Sequence, residues 1–197
     1  MLYILDLGAN DGCSIRKFKK EYLKSVENYK IISYEPHPFF YNILKNENNS
    51  NITIINKAVS IHNNKSKFYY SVRPDGSSLN ETKTSNGINK EKFFLVDCID
   101  ICDVINNLNL KNNDKLWLKM DIEGEEYNII PHLYKNNMLK YVNKMFIEWH
   151  QSKLKNITLD KHNDCVNMLK NISCQEWDAL NYAYDLNKKY NEFCNDL

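Results

Sequence analysis

The chain has 197 residues, 43% of them hydrophobic, enough to bury one sizeable core as a single domain. With 26 basic against 25 acidic residues the formal net charge is +1, so no strong field draws it to nucleic acid or an anionic bilayer. No apolar run reaches the ~20 residues of a spanning helix. The strand-like start and six cysteines without metal spacing lead to an expectation of a cytoplasmic chain with no signal peptide and free thiols.

In chain order, the first predicted element is a buried parallel strand over about residues 2–7, followed by a helix over about 13–25. Between them lies Gly8-Ala9-Asn10-Asp11-Gly12. Glycines at such a corner supply positive φ or let a ligand approach the backbone, and a helix N-terminus offers unpaired N–H groups to an anion. A second strand over about 30–35 ends on Glu35, and Pro36 and Pro38 lead into a helix through Phe39–Lys45. Glu35 follows Gly12 at the spacing of one βαβ unit, where a carboxylate can take both ribose hydroxyls of a nucleotide-like cofactor.

A third strand is predicted over Ile52–Asn56, with extra strands at Phe68–Val72 and Phe93–Val96. The polar stretch Arg73–Asn89 between the last two reads as a long loop, a substrate lid or oligomer contact. Asp100 suits the N-cap of a following helix. A fourth strand over Leu116–Asp121 runs into Asp121-Ile122-Glu123-Gly124-Glu125-Glu126. Pro131 is expected to kink or restart the helix behind it. A fifth strand over Lys144–His150 carries Glu148 and His150, a last helix covers about Lys161–Asn171, and the periodicity of Ser173–Tyr184 fits strand and helix equally. The alternation means an α/β fold, a doubly wound, mostly parallel sheet with an inserted hairpin or loop after strand three. Ligands of such sheets bind beyond the carboxyl ends of the strands, so the acidic cluster should face the crevice of the glycine turn.

These blocks resemble the FkbM family of class I, Rossmann-like S-adenosylmethionine-dependent methyltransferases. The resemblance is carried by Asp6-Leu7-Gly8-Ala9-Asn10-Asp11-Gly12, Tyr34-Glu35-Pro36-His37-Pro38 and Asn56-Lys57-Ala58-Val59-Ser60. It continues through Ile99-Asp100, Lys119-Met120-Asp121-Ile122-Glu123-Gly124-Glu125-Glu126 and Ile147-Glu148-Trp149-His150, and no family motif follows His150. It implies S-adenosylmethionine as cofactor and O-methyl transfer to a hydroxyl of a small molecule or glycan. The cofactor-binding candidates are Asp6, Gly8, Asn10, Gly12, Glu35, Ala58 and Asp121.

An alcohol acceptor must lose a proton, and a carboxylate or histidine within reach takes it. The catalytic candidates are Asp121, Glu123, Glu126, Glu148 and His150, with Glu123 or His150 as the base and Asp121 positioning the cofactor's methionine end. The same oxygen and imidazole groups suit Mg²⁺, which the resemblance does not require. Two other classes stay open. A nicotinamide enzyme wants G-x-G-x-x-G, but Asn10 stands where its second glycine belongs. A non-catalytic scaffold would not need the acidic cluster. His37, between two prolines, reads as structural.

Overall fold

The computed structural model describes residues 1–85 and 87–195; Asn86 of the predicted loop and residues 196 and 197 of the tail lie outside the described residues. Six strands build the central sheet: β1 (Leu2–Leu7), β2 (Tyr29–Tyr34), β3 (Ile52–Ile55), β7 (Lys115–Met120), β8 (Val142–Ile147) and β9 (Ser173–Glu176). All pair in parallel in the order β3-β2-β1-β7-β8-β9. The strand order reverses between β1 and β7, which opens a crevice beyond their carboxyl ends.

Period-two alternation assigns the strand side chains to two cores. Leu5, Leu7, Leu118, Met120, Met145 and Ile147 face one of them. They pack with α3 (Ile101–Asn107), α4 (Glu126–Lys135) and α5 (Leu159–Met168). Ile4, Ile31, Ile52, Ile54 and Phe146 face the other. There they meet α1 (Cys13–Lys17), its π-helical continuation Phe18–Tyr22, and Leu44 of α2 (Pro38–Leu44). With helices on both faces, the sheet is doubly wound.

The insertion after β3 is a second, three-stranded sheet of β4 (Ala58–Ser60), β5 (Lys65–Ser71) and β6 (Ile88–Asp100). β5 and β6 form the antiparallel hairpin, while β4, a strand too short to read from periodicity, pairs parallel with β6. Asp100 caps α3 by accepting from the Cys102 N–H. Pro131 neither ends nor restarts α4, which runs unbroken through it. Ser173–Tyr184 resolves into the edge strand β9 and a 3₁₀ turn at Leu180–Tyr182. A further helix, α6 (Asn187–Asn195), lies beyond the predicted last helix. Its Tyr190 is fully buried, stacked on Phe40 and Tyr70, and donates from its hydroxyl to the Ser71 carbonyl.

Candidate active site

The glycine turn is shaped by three residues in the left-handed region, Gly8 at φ 77°, Asn10 at φ 47° and Gly12 at φ 86°. A Cβ on Gly8 would stand 2.1 Å from the Asp121 carbonyl oxygen, so β1 and β7 can close the crevice floor only with glycine there. The turn spends its own donors. Gly8 and Ala9 donate to the Tyr34 carbonyl, Gly12 to that of Ala9, Asn10 to Glu35, and Cys13 to the Asp11 carboxylate. Most of the N–H groups expected to be unpaired there are therefore taken, because Asp11 accepts from the first N–H of the short α1 and Glu35 from that of Asn10.

Glu35 sits at the end of β2 with 5% of its surface exposed. Its Oε2 accepts from the Asn10 N–H at 2.7 Å and its Oε1 from the His37 N–H at 2.7 Å. Each oxygen keeps a lone pair for a ligand. Burial pushes its pKa up to about 7 against the pull of those two bonds and of Lys119. His37 is buried, caps α2 through Nδ1, and lies among Phe40, Phe94 and Tyr190.

Asp6 and Gly12 do not reach the crevice. Asp6 is fully buried, accepting from Ser14 and Ser33 at 2.6 and 2.8 Å. Its partner is Lys119, a buried β7 lysine 3.2 Å from Asp6 and 3.6 Å from Asp121. Lys119 also donates to the carbonyls of Gly8 and Leu7 at 2.6 and 3.2 Å. It thus ties the glycine turn to the acidic cluster. A lysine inside an apolar strand was the signal available in the sequence.

Asp121, Glu123, Glu148 and His150 follow the ends of β7 and β8, and the chain reversal at Glu123 (φ 55°) and Gly124 (φ 119°) turns their side chains together. His150 is fully buried. Its Nδ1 is 2.9 Å from Glu126 Oε1. Because an ionised carboxylate only accepts, this nitrogen carries a proton. Glu126 is held in turn by the N–H groups of Ile122 and Gly124 at 3.0 and 2.9 Å. Around Nε2 stand Glu123 Oε1 and Glu148 Oε1 at 3.5 Å and Asp121 Oδ1 at 3.8 Å.

Lys83 and Lys153 complete the cluster. Lys83, fully buried in the predicted loop, pairs with Glu123 and donates to the Gly76 carbonyl. Lys153 lies 3.6 Å from Glu123 and 3.7 Å from Glu148. Burial opposes charge on His150, yet Glu126, Glu123 and Glu148 outweigh it and raise its pKa to about 12. Burial likewise opposes charge on Glu123, but His150 and Lys83 bring it down to about 2. Asp121 moves the other way: burial lifts it to about 6 in spite of Lys119.

These groups open into a crevice of about 660 Å³. Gly8, Asn10, Glu35 and Ala58 line it together with Asp121, Glu123 and Glu148. Arg73, Pro74 and Leu79 form one rim, and Trp177, Ala183 and Tyr184 of the C-terminal segment the opposite one. Glu126 and His150 stand behind this lining. The predicted loop is folded down: Asn10 donates to the Pro74 carbonyl and Ser78 Oγ to that of Glu123.

The sequence profile of the methyltransferase FkbM domain matches residues 6–184. The chain belongs to the FkbM methyltransferase family. A crystal structure of methyltransferase FkbM from Methylobacillus flagellatus KT superposes at a TM-score of 0.50 with 16% identity, covering 84% of this chain. The chain spans 37% of that protein's length. The chain matches no curated protein sequence. The resemblance read from the motifs is the family found, and the Rossmann-like sheet is the fold found. The match continues to residue 184, past His150, where no motif was legible; β9 and the crevice rim lie in that stretch. Among the described residues no helix is long and apolar enough to cross a membrane.

Proposed function

We propose that this FkbM-family chain transfers the methyl group of S-adenosylmethionine to a hydroxyl of a small molecule or glycan. The observation that carries this reading is Glu35, a carboxylate fixed by two backbone N–H groups at the crevice end with free lone pairs on both oxygens. That arrangement fits two ribose hydroxyls. Gly8 and Asn10 would flank the same nucleoside, with Ala58 against its base. The glycine turn, with most of its N–H groups bonded internally, favours a nucleoside over a dinucleotide, because a pyrophosphate needs free N–H donors. This observation also weighs against the nicotinamide reading.

The cofactor supplies an electrophilic methyl on a sulfonium. The protein's part is alignment of acceptor and methyl carbon, which can lower the barrier by roughly 7–11 kcal/mol at best. It must also handle the acceptor's proton. Glu123 and His150 are locked in an ion pair and serve poorly as bases. Asp121, lifted toward neutrality and partly open to the crevice, is the better acceptor for that proton, with Glu148 beside it. Lys119 and the Glu126–His150 pair hold the cluster in place.

Calorimetry with S-adenosylhomocysteine tests the cofactor assignment. Glu35→Ala should weaken binding by about 1.5–3 kcal/mol for each charge-assisted bond lost. Unchanged affinity would remove Glu35 from the site. Incubation with labelled S-adenosylmethionine and a panel of glycans and small alcohols tests the acceptor class.

A further inference from the structure

We propose that Asp121, Glu123 and His150 form a binding site for one divalent transition-metal ion, of the Mn²⁺ or Zn²⁺ type, at the crevice floor. This rests on the methyltransferase reading only for its purpose, which is to polarise the acceptor hydroxyl; the site itself rests on geometry.

The decisive atom is His150 Nε2. It is buried in a fully enclosed side chain and has no hydrogen-bond partner among the described residues. It points at three carboxylate oxygens, 3.5, 3.5 and 3.8 Å away. Those separations are long for hydrogen bonds, which run to about 3.2 Å for a nitrogen donor. They suit ligand atoms sharing one cation, since bonds of about 2.1 Å hold neighbouring ligands about 3.0–3.5 Å apart. The ligand atoms of Asp121, Glu123 and His150 all lie within 4.8 Å of one another.

Glu126 supplies a second, independent feature. By accepting from Nδ1 it fixes the imidazole tautomer that leaves a lone pair on Nε2. Its own oxygens are anchored on Ile122 and Gly124, so the ring cannot turn away. An oriented imidazole with two carboxylates is a mixed nitrogen and oxygen donor set. It selects a borderline ion over Ca²⁺, which prefers oxygen alone. Lys83 and Lys153 partly offset the carboxylate charge, and this limits the site to modest affinity. Without an ion, a proton on His150 fills the same role, so metal uptake should release a proton.

The experiment is titration of the chelator-treated 197-residue chain with Mn²⁺ and Zn²⁺ by calorimetry, and with Mn²⁺ by electron paramagnetic resonance. Expected are one ion per chain, binding at least tenfold weaker in Asp121→Asn, and loss of binding in His150→Ala. Asp121 keeps 27% of its side chain exposed, so its variant carries the test if His150→Ala does not fold. His132→Ala should leave binding unchanged; that residue belongs to a separate cluster with Asp100 and Cys102. No binding of either ion to the wild type overturns the proposal, and so does binding lost in His132→Ala. S-adenosylhomocysteine is titrated into the same samples. Lost ion binding with nucleoside binding intact defeats the metal site alone, and the reverse result defeats the cofactor reading alone.

Discussion

Two buried residues set the chemistry of the crevice, and each carries a testable consequence. Glu35 ionises near neutrality because burial raises its pKa to about 7 from the usual 4.5. The folded state therefore holds a proton that the unfolded state has lost between about pH 4.5 and 7. Stability should fall as pH rises through that window, and the slope should lessen in Glu35→Gln, Asp121 keeping its own share, read by denaturant titration. The ligand should want the ionised form. S-adenosylhomocysteine affinity is thus expected to rise from pH 6 to pH 8 in the wild type and to stay flat in Glu35→Gln. A parallel pH profile in both proteins would show that another group titrates. Lys119 is the second residue. Removing it leaves Asp6 buried and unpaired, so Lys119→Met should cost about 3–5 kcal/mol in chemical denaturation. Adding Asp6→Asn should recover part of that loss, because the stranded charge is then gone.

At the scale of elements, the crevice is made by two strand ends that approach closer than any side chain allows. Gly8→Ala must fit a Cβ against the Asp121 carbonyl while holding a positive φ. A cost of at least about 3 kcal/mol follows, which lowers the melting temperature by roughly 6–12 °C for a chain of this length. An unshifted melting curve would mean that β1 and β7 can part at the switch point without loss. This corner was legible in the sequence, because apolar runs, glycines and acids at strand ends have local causes. So were the convergence of Asp121, Glu123, Glu148 and His150, and the capping role of Asp100. Other features were not, because they depend on distant partners. The N–H groups of the glycine corner look free until Glu35 is seen to accept from Asn10, Asp11 from Cys13, and the Tyr34 carbonyl from Gly8. Lys83 and Lys119 look like surface charge until Glu123 and Asp6 stand beside them. β4 and β9, three and four residues long, are strands only because β6 and β8 offer edges.

For the molecule as a whole, the C-terminal segment from Trp177 to Asn187 is part of the site. The segment after β9 is latched to the glycine corner by Arg16. Arg16 Nε donates to the Tyr182 carbonyl at 2.7 Å, and its guanidinium lies over the Tyr184 ring at 3.8 Å. Its Nη2 meets Asp11, which in turn accepts from the Tyr184 N–H at 2.5 Å. Trp177 adds a stacked contact with Phe18. This latch joins the start of the chain to its end across the crevice mouth, and the family match stops where it closes, at residue 184. Arg16→Ala should free the latch and leave the sheet intact. Hydrogen exchange is then expected to quicken over residues 178–186 while β1, β2 and β7 keep their protection. S-adenosylhomocysteine should bind more weakly in step, because a bound ligand must first reorder the rim. If exchange over residues 178–186 stays as slow as in the wild type, the Trp177 packing holds the rim by itself. Faster exchange with unchanged affinity would instead show that the rim bounds the crevice without contributing to the ligand's binding.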